Sequence, residues 1–330
     1  MKLTAPLCDV SQTSQLFEAG ADEIYCGVLA PRWKERSVPL NARPYPEANL
    51  SSFDELRAVL EEARAHRGRV LFCANARLGR DAAGHQMEGI ARAMEIGVDG
   101  VIVADPSLVP AVKSLGQGAR VIISTIACCM NSSALALFAG CGADRVVLDR
   151  QLTLAETARL CAAARAARIE IEAFVFNITC LNVNGLCRMH GLFGAPARWG
   201  ADGGLPECRR QRILEPHGNG DGPEAASRIL FDSAAFEESS CAHCALCSLA
   251  HLRGCGIDAV KIEGRGLPAR RIVAGVRLVR EFLDGLEDGY IASDNCIPAG
   301  RGLYRKAFGV DCLVGQCHHF EIRRERKALG

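Results

Sequence analysis

The chemistry of this chain of 330 residues is carried first by sulfur, for it contains 17 cysteines. Cys180, Cys187, Cys208, Cys241, Cys244, Cys247, Cys296, Cys312 and Cys317 lie in the second half, outside any run that reads as a strand, and Cys255 ends a helical segment. Thiolates are soft ligands, so four that converge hold either tetrahedral zinc or an iron–sulfur cluster. Zinc ribbons pair two Cys-x2-Cys knuckles. Here six residues separate Cys180 from Cys187 and Cys208 stands alone, a spacing that favours a cluster. Cys73, Cys141 and Cys161 read instead as small core hydrophobes.

A second set of residues is suited to work on a substrate. Arg150, Arg265, Glu263 and Asn75 are the candidate catalytic residues, each placed where a predicted strand gives way to a loop. Guanidinium groups bind carboxylate or phosphate bidentately, so Arg150 and Arg265 suit a dicarboxylate or a nucleic-acid phosphate. Their plainer reading is an ion pair with a carboxylate of the fold. Asp105 falls at another strand end, with Arg77 and Arg188 on nearby loops. Asn75 and Asn131 either orient a substrate or serve as turn and cap residues. His190, His243 and His251 are candidate proton carriers, although the sequence offers none of them an acid partner. The chain has no His-Glu-x-x-His helix and no Gly-x-Ser-x-Gly elbow, and a cysteine protease would leave most of the thiols unexplained. Hydrolysis therefore ranks below cluster chemistry.

The elements that position these residues are legible from a recurring phrase. Ala19-Gly20-Ala21-Asp22, Ile96-Gly97-Val98-Asp99, Cys141-Gly142-Ala143-Asp144 and Cys255-Gly256-Ile257-Asp258 each precede an apolar, strand-length run. A glycine that closes a helix in the left-handed region, an Asp turn and a buried strand make an αβ junction. Strand-length runs fall at residues 2–5, 23–27, 70–75, 100–105, 121–126, 145–150, 170–176 and 259–264. Helical periods lie between them, such as Phe53, Leu56, Val59, Leu60 and Ala63. The pattern predicts an α/β chain, a (β/α)8 TIM-like barrel, in preference to an open doubly wound sheet. No Gly-x-Gly-x-x-Gly follows a strand, which weighs against dinucleotide binding. The first seven units occupy residues 1–177 and a cysteine-rich insertion follows at 178–240. The last helix, strand and helix take 241–290, and a cysteine-containing tail fills 291–330. The insertion reads as loops, and the basic run Arg323 to Lys327 reads as a solvated helix end.

Composition bounds the rest. With 49% hydrophobic and 23% charged residues the chain is not disordered, and 39 basic against 38 acidic residues leave no global field for nucleic acid. The opening residues have no apolar signal region and no run is long enough to span a membrane, so a cytoplasmic address with reduced thiols is expected.

Phe174-Val175-Phe176-Asn177-Ile178-Thr179-Cys180 through Gly185-Leu186-Cys187, with Lys261-Ile262-Glu263-Gly264-Arg265, resembles the two signature regions of the collagenase-like peptidase family, peptidase U-32. The likeness runs over roughly residues 1–290 and includes Ala19 to Tyr25, Ser124 to Ala127 with Asn131, and Arg145 to Arg150. It implies an oxygen-independent hydroxylase of a quinone precursor, as in ubiquinone biosynthesis, or of an RNA base. It also implies a 4Fe-4S cluster and prephenate as a hydroxyl source, to which Arg150 and Arg265 would be suited. Carried over, the cluster ligands are Cys180, Cys187 and Cys208, with Cys244 chosen over Cys241 and Cys247 by its distance from Gly256. On a helix those three would stack on one side, so a one-turn shift would still present a thiol. Cys241, Cys296, Cys312 and Cys317 would then make a second four-thiolate site. The chain departs from the family at Arg150-Gln151, Asn177-Ile178 and Ile126, where Arg-Glu, His-Gly and a glutamine are usual, so a substrate or chemistry different from that of the characterised members is expected. The historical peptidase activity and a noncatalytic role beside a related chain in a heterodimer are the other readings, and the electron donor is not specified.

Overall fold

A computed structural model describes residues 1–29, 40–43, 46–116, 118, 120–177, 183–186, 211–215, 228–232 and 243–328. Strands β1 Lys2–Pro6, β2 Glu23–Cys26, β3 Arg69–Ala74, β4 Gly100–Val103, β5 Arg120–Ile123, β6 Arg145–Val147 and β7 Glu170–Asn177 follow one another in parallel. Within the insertion, β8 Gln211–Glu215 and β9 Arg228–Asp232 pair antiparallel, and β10 His243–Cys244 runs antiparallel to the end of β7. Strand β11 Ala259–Ile262 lies between β7 and β1, and β6 pairs with β7, so eight parallel strands close a barrel. The expected (β/α)8 fold is the fold observed.

Helices α1 Thr13–Glu18, α2 Phe53–Ala65, α3 Arg80–Ile96, α4 Leu108–Ser114, α5 Ser132–Gly140, α6 Leu154–Ala167 and α7 Leu249–Cys255 lie between the barrel strands, and α8 Ala269–Glu287 follows the last. Helix α2 shows why they form: Ser52 caps it by accepting from Glu55 N, and Phe53, Leu56, Val59, Leu60 and Ala63 are the face it buries. Helix α6 carries a full capping box between Thr153 and Glu156.

The recurring phrase has a role beyond ending helices. Gly20, Gly97, Gly142 and Gly256 adopt φ of +102°, +104°, +94° and +85°, the left-handed conformation expected of them. The aspartate two residues on then grips the preceding strand at two points. Asp22 Oδ2 accepts from Leu3 N at 2.7 Å, Asp99 Oδ2 from Val70 N at 2.8 Å, Asp144 Oδ2 from Val121 N at 2.6 Å and Asp258 Oδ2 from Ile171 N at 2.8 Å. Each aspartate N–H returns a bond to the carbonyl of that same residue. Each aspartate carbonyl accepts from the first residue of the strand on its other side, Arg69, Arg120, Glu170 or, closing the ring, Lys2. Four aspartates thus form a continuous belt around the amino-terminal end of the barrel.

Above the belt the lumen is layered. Arg145 is fully buried and bidentate to Glu23, at 2.5 and 3.1 Å, while its Nε donates to Glu170 at 2.9 Å. Tyr25, Leu71, Cys73, Ile102, Ile122 and Val147 make an apolar layer above the charges. The larger core lies between sheet and helices.

Several expectations are corrected. Strands β4, β5 and β6 stop before Asp105, Ile126 and Arg150, because the chain leaves the sheet there to form the mouth; residues Thr125–Ala127 are a 3-10 turn capped by Ser124. Cys244 and Cys247 do not sit on a helix: Cys244 is extended in β10, Cys247 lies in the 3-10 turn Leu246–Ser248, and α7 begins only at Leu249. The tail is more regular than expected, with helices α9 Cys296–Phe308 and α10 Phe320–Ala328. Arg326 is not solvated: it is 7% exposed and donates to Cys317 Sγ at 3.1 Å and to the carbonyl of Cys312 at 3.1 Å.

Candidate active site at the barrel mouth

The carboxyl ends of the strands surround one cavity, and the side chains lining it include Asn75, Arg150, Glu263 and Arg265. Lys261, Glu263 and Arg265 recur at alternate positions along β11 and its continuation and all three line the cavity. The lining also draws Arg43 from the loop after β2, Phe174 from β7 and Asn184 from the 3-10 turn Asn184–Leu186.

Glu263 is the centre of the polar network. Its Oε1 accepts from Arg43 Nη2 at 2.7 Å and its Oε2 from Arg150 Nη2 at 2.5 Å. Arg150 also donates to Asn184 Oδ1 at 3.1 Å and lies over the Phe174 ring, 4.2 Å from its centre. The turn bearing Asn184 packs closely: a Cβ on Gly185 would lie 2.1 Å from the carbonyl oxygen of Ile126, and Arg77 donates to the Gly185 carbonyl. Arg265 donates to Asn41 Oδ1 at 3.1 Å, and Asn41 in turn to Asn49. Asn75 accepts from Ala42 N and donates to Ser124 Oγ at 3.0 Å, so it ties two mouth loops together.

Lys261 lies deeper. It is 4% exposed, its Nζ stands 3.8 Å from the centre of the Tyr25 ring and 3.6 Å from Glu172 Oε1, and it has no hydrogen-bond partner. Tyr25 donates its hydroxyl to the carbonyl of Ile262 at 3.0 Å, and burial raises its phenol well above the ordinary value. His243, whose backbone pairs with Asn177, is half-buried, and neither of its buried ring nitrogens has a hydrogen-bond partner; desolvation, then Arg323 and Arg271, lower it to about 4. His318 is held well below the ordinary imidazole value, first by burial and then by His319 and His243.

The remaining sequence candidates separate. Asn131 caps α5 by accepting from Ala134 N, and Asp105 accepts from Ser107 N in a turn. His251 is half-buried on α7. Cys180, Cys187, Cys208, Cys241, Arg188 and His190 lie outside the described residues. Of the thiols within them, Cys244, Cys247, Cys296, Cys312 and Cys317 are all buried. Sequence reasoning missed Arg43, Tyr25 and Lys261. Lys261 carried a signal, a cation two residues before Glu263 on one face of a strand, whereas Arg43 lies in a loop without periodicity.

The sequence matches the peptidase family U32 over residues 8–306. The chain belongs to peptidase family U32. An uncharacterized protease of Methanocaldococcus jannaschii is 25% identical to this U32 protein over 295 residues, 88% of this chain and 66% of its own. The tRNA hydroxylation protein P1 of Bacillus subtilis is 24% identical over 288 residues, 86% of this chain and 63% of its own. The tRNA hydroxylation protein P of Escherichia coli is 24% identical over 190 residues, 58% of this chain and 39% of its own. This U32 protein therefore spans less than two thirds of the length of these curated relatives. A solved U32 peptidase structure shares its fold, with a TM-score of 0.50 and 17% identity over 81% of this chain and 94% of that one. No helix among the described residues is long and apolar enough to cross a membrane.

Proposed function

We propose that this U32 protein is an oxygen-independent hydroxylase of an RNA base whose barrel mouth holds an anionic co-substrate. The observation that carries the reading is charge: among the described residues lining the cavity, Arg43, Arg150, Lys261 and Arg265 face Glu263 as the single acid. A lining with that excess of cations favours a carboxylate or phosphate, and prephenate, a dicarboxylate, suits it. The two tRNA hydroxylation proteins among the relatives favour an RNA base over a quinone precursor.

The cluster ligands in this reading are Cys180, Cys187 and Cys208, with a fourth thiol from the run Cys241 to Cys247, where the family resemblance selects Cys244. The donor set suits the group: Cys244 pairs in register with Phe176, and Cys180 follows Phe176 by only four residues of chain. A 4Fe-4S cluster, when bound, supplies electron transfer. The chain's own residues orient the ligand: Arg265 and Lys261 meet its negative charge, Glu263 fixes the planes of Arg43 and Arg150, and Asn75 holds the loops that enclose it.

The peptidase reading draws on the name of the Methanocaldococcus relative. Among the described residues, Ser248 Oγ pairs with His319 Nδ1 at 2.8 Å, but both residues are buried and neither lines the cavity. That disfavours Ser248 as a nucleophile.

The test is a deletion strain of the native host analysed for modified tRNA nucleosides and for quinones. Loss of an oxygen-bearing nucleoside, restored by the wild-type gene, is the expected result. Unchanged nucleosides with depleted quinone would move the function to a small-molecule substrate. Protein purified without oxygen should be brown and contain iron and acid-labile sulfide.

A further inference from the structure

The chain takes arginine for nearly every cation. Of its 39 basic residues only six are lysines, and the one at position 261 is buried inside the barrel. A guanidinium keeps its proton in a protein, whereas an amine can release one and attack carbon. Lys261, set among the arginines of the mouth, therefore brings to the cavity a chemistry that its neighbours lack.

Strand register places it. Lys261 pairs with Thr4 of β1 and with Phe174 of β7, and Glu172 lies two residues before Phe174, on the same face and nearer the barrel floor. Lys261 lines the cavity together with Tyr25, Cys73, Ile102 and Val147 of the apolar layer. Its amine has no hydrogen-bond partner, and neither oxygen of the fully buried Glu172 has one either. The amine stands 3.6 Å from Glu172 Oε1, and Glu172 Oε2 lies 3.8 Å from Arg145 Nη1. An ion pair kept for stability alone would close to hydrogen-bond distance, because a buried donor or acceptor left without a bond is destabilising. Lys261 instead keeps its donors unused in a cavity lined for a ligand.

We propose that Lys261 holds its ligand covalently, as an imine with the keto carbon of a 2-oxo acid, and that Glu172 relays the proton. The inference rests on the anionic co-substrate of the proposed function and names its class, to which prephenate belongs. Arg265 lines the same cavity and takes the carboxylate of such a ligand. Both cations stand beside the Tyr25 ring, Nζ of Lys261 3.8 Å and the guanidinium carbon of Arg265 5.9 Å from its centre, so one small ligand can span them. The apolar layer then receives the uncharged end of the acid.

The step balances. The ammonium passes one proton to Glu172 Oε1, and the electron pair left on Nζ forms a bond to the keto carbon. A second proton moves from nitrogen to the keto oxygen, Glu172 returns the first, and the carbon–oxygen bond breaks to release water. Ammonium and ketone thus give iminium and water, the charge in the mouth is unchanged, and no oxidant or reductant is consumed. The iminium draws electrons from the carbons beside it, which is the activation a keto acid needs before a bond next to its carbonyl breaks.

The experiment is reductive trapping on the full-length protein, purified without oxygen. The protein is incubated with pyruvate or phenylpyruvate and sodium cyanoborohydride, which turns an imine into a stable secondary amine, and peptide mass mapping locates the adduct. Lys261 should be labelled ahead of the exposed Lys113 and Lys306, and propionate, which has no keto group, should leave no adduct. Lys261→Arg keeps the charge and should lose the adduct. Glu172→Gln should slow trapping at neutral pH and recover it as pH rises, a dependence that loosening of the barrel would not produce. The wild-type map is read whether or not either variant folds. Labelling of Lys261 no faster than of Lys113 and Lys306, or none at all, overturns the imine. If the deletion strain loses its nucleoside while Lys261 stays unlabelled, the imine falls and the hydroxylase reading stands. If Lys261 is labelled while the nucleosides are unchanged, the hydroxylase reading falls and the imine stands.

Discussion

Arg265 and Lys261 are the cations of the mouth whose removal should speak most directly to ligand binding. Arg265→Lys keeps the charge and loses the planar fork, so KM for the anionic co-substrate should rise by about tenfold while kcat changes little; steady-state kinetics reads the split. An equal fall in kcat with unchanged KM would place Arg265 in the chemical step instead. Glu263→Gln removes the anion that two guanidinium groups share, and should weaken the order of both Arg43 and Arg150. Arg150, Arg265, Glu263 and Asn75 are legible in the sequence because strand ends at a barrel mouth can be read from apolar runs. Lys261 is hidden by lying within such a run, where a charged residue looks like an interruption. Arg43 comes from a loop whose path no periodicity encodes, and the cation–π contacts of Arg150 with Phe174 and of Lys261 with Tyr25 depend on closure of the barrel.

At the scale of the element, the strands are held by buried charge as much as by apolar packing. Arg145 meets Glu23 and Glu170, and its Nη1 lies 3.8 Å from Glu172. Arg145→Met would strand buried carboxylates, so the protein should lose about 3–5 kcal/mol. The denaturant midpoint measures this, and adding Glu23→Gln should recover part of the loss. All eight barrel strands are legible in the sequence, and so are the glycine–aspartate junctions. What is not legible is the second function of those aspartates, since a turn residue and a strand clamp share the same local pattern. Asp99→Ala leaves Val70 N without its 2.8 Å acceptor, and should cost about 1–3 kcal/mol. The conformation of Cys244 and Cys247 escapes prediction for a related reason: a Cys-x2-Cys run is compatible with a helix, and only the pairing of β10 with β7 holds Cys244 extended.

For the whole molecule, the charges of the barrel floor set the response to acid. Burial raises Glu170, but the hydrogen bond from Arg120 and the charge of Arg145 outweigh it and lower the carboxyl to about 2. Burial likewise opposes Glu23, and Arg145 leaves it below the ordinary carboxylate value. Both groups bind protons more weakly folded than unfolded, so their contribution is complete above the unfolded pKa of ~4.5. It is lost as pH falls toward about 2. Urea midpoints should therefore drop over that window, and the drop should shrink in Glu170→Gln. The tail is where sequence pattern guides least, for its described residues are held by contacts between its own segments, such as Arg326 with Cys317.

The belt of four aspartates also bears on how this barrel comes apart. Each clamps one neighbouring strand by side chain and backbone and the next by its carbonyl, and the bond from Lys2 to Asp258, at 3.0 Å, repeats those at Arg69, Arg120 and Glu170. A cylinder hooped in this way has no weak stave. The amides of Leu3, Val70, Val121 and Ile171 should exchange with solvent slowly and at a common rate, reporting a floor that opens in a single collective event.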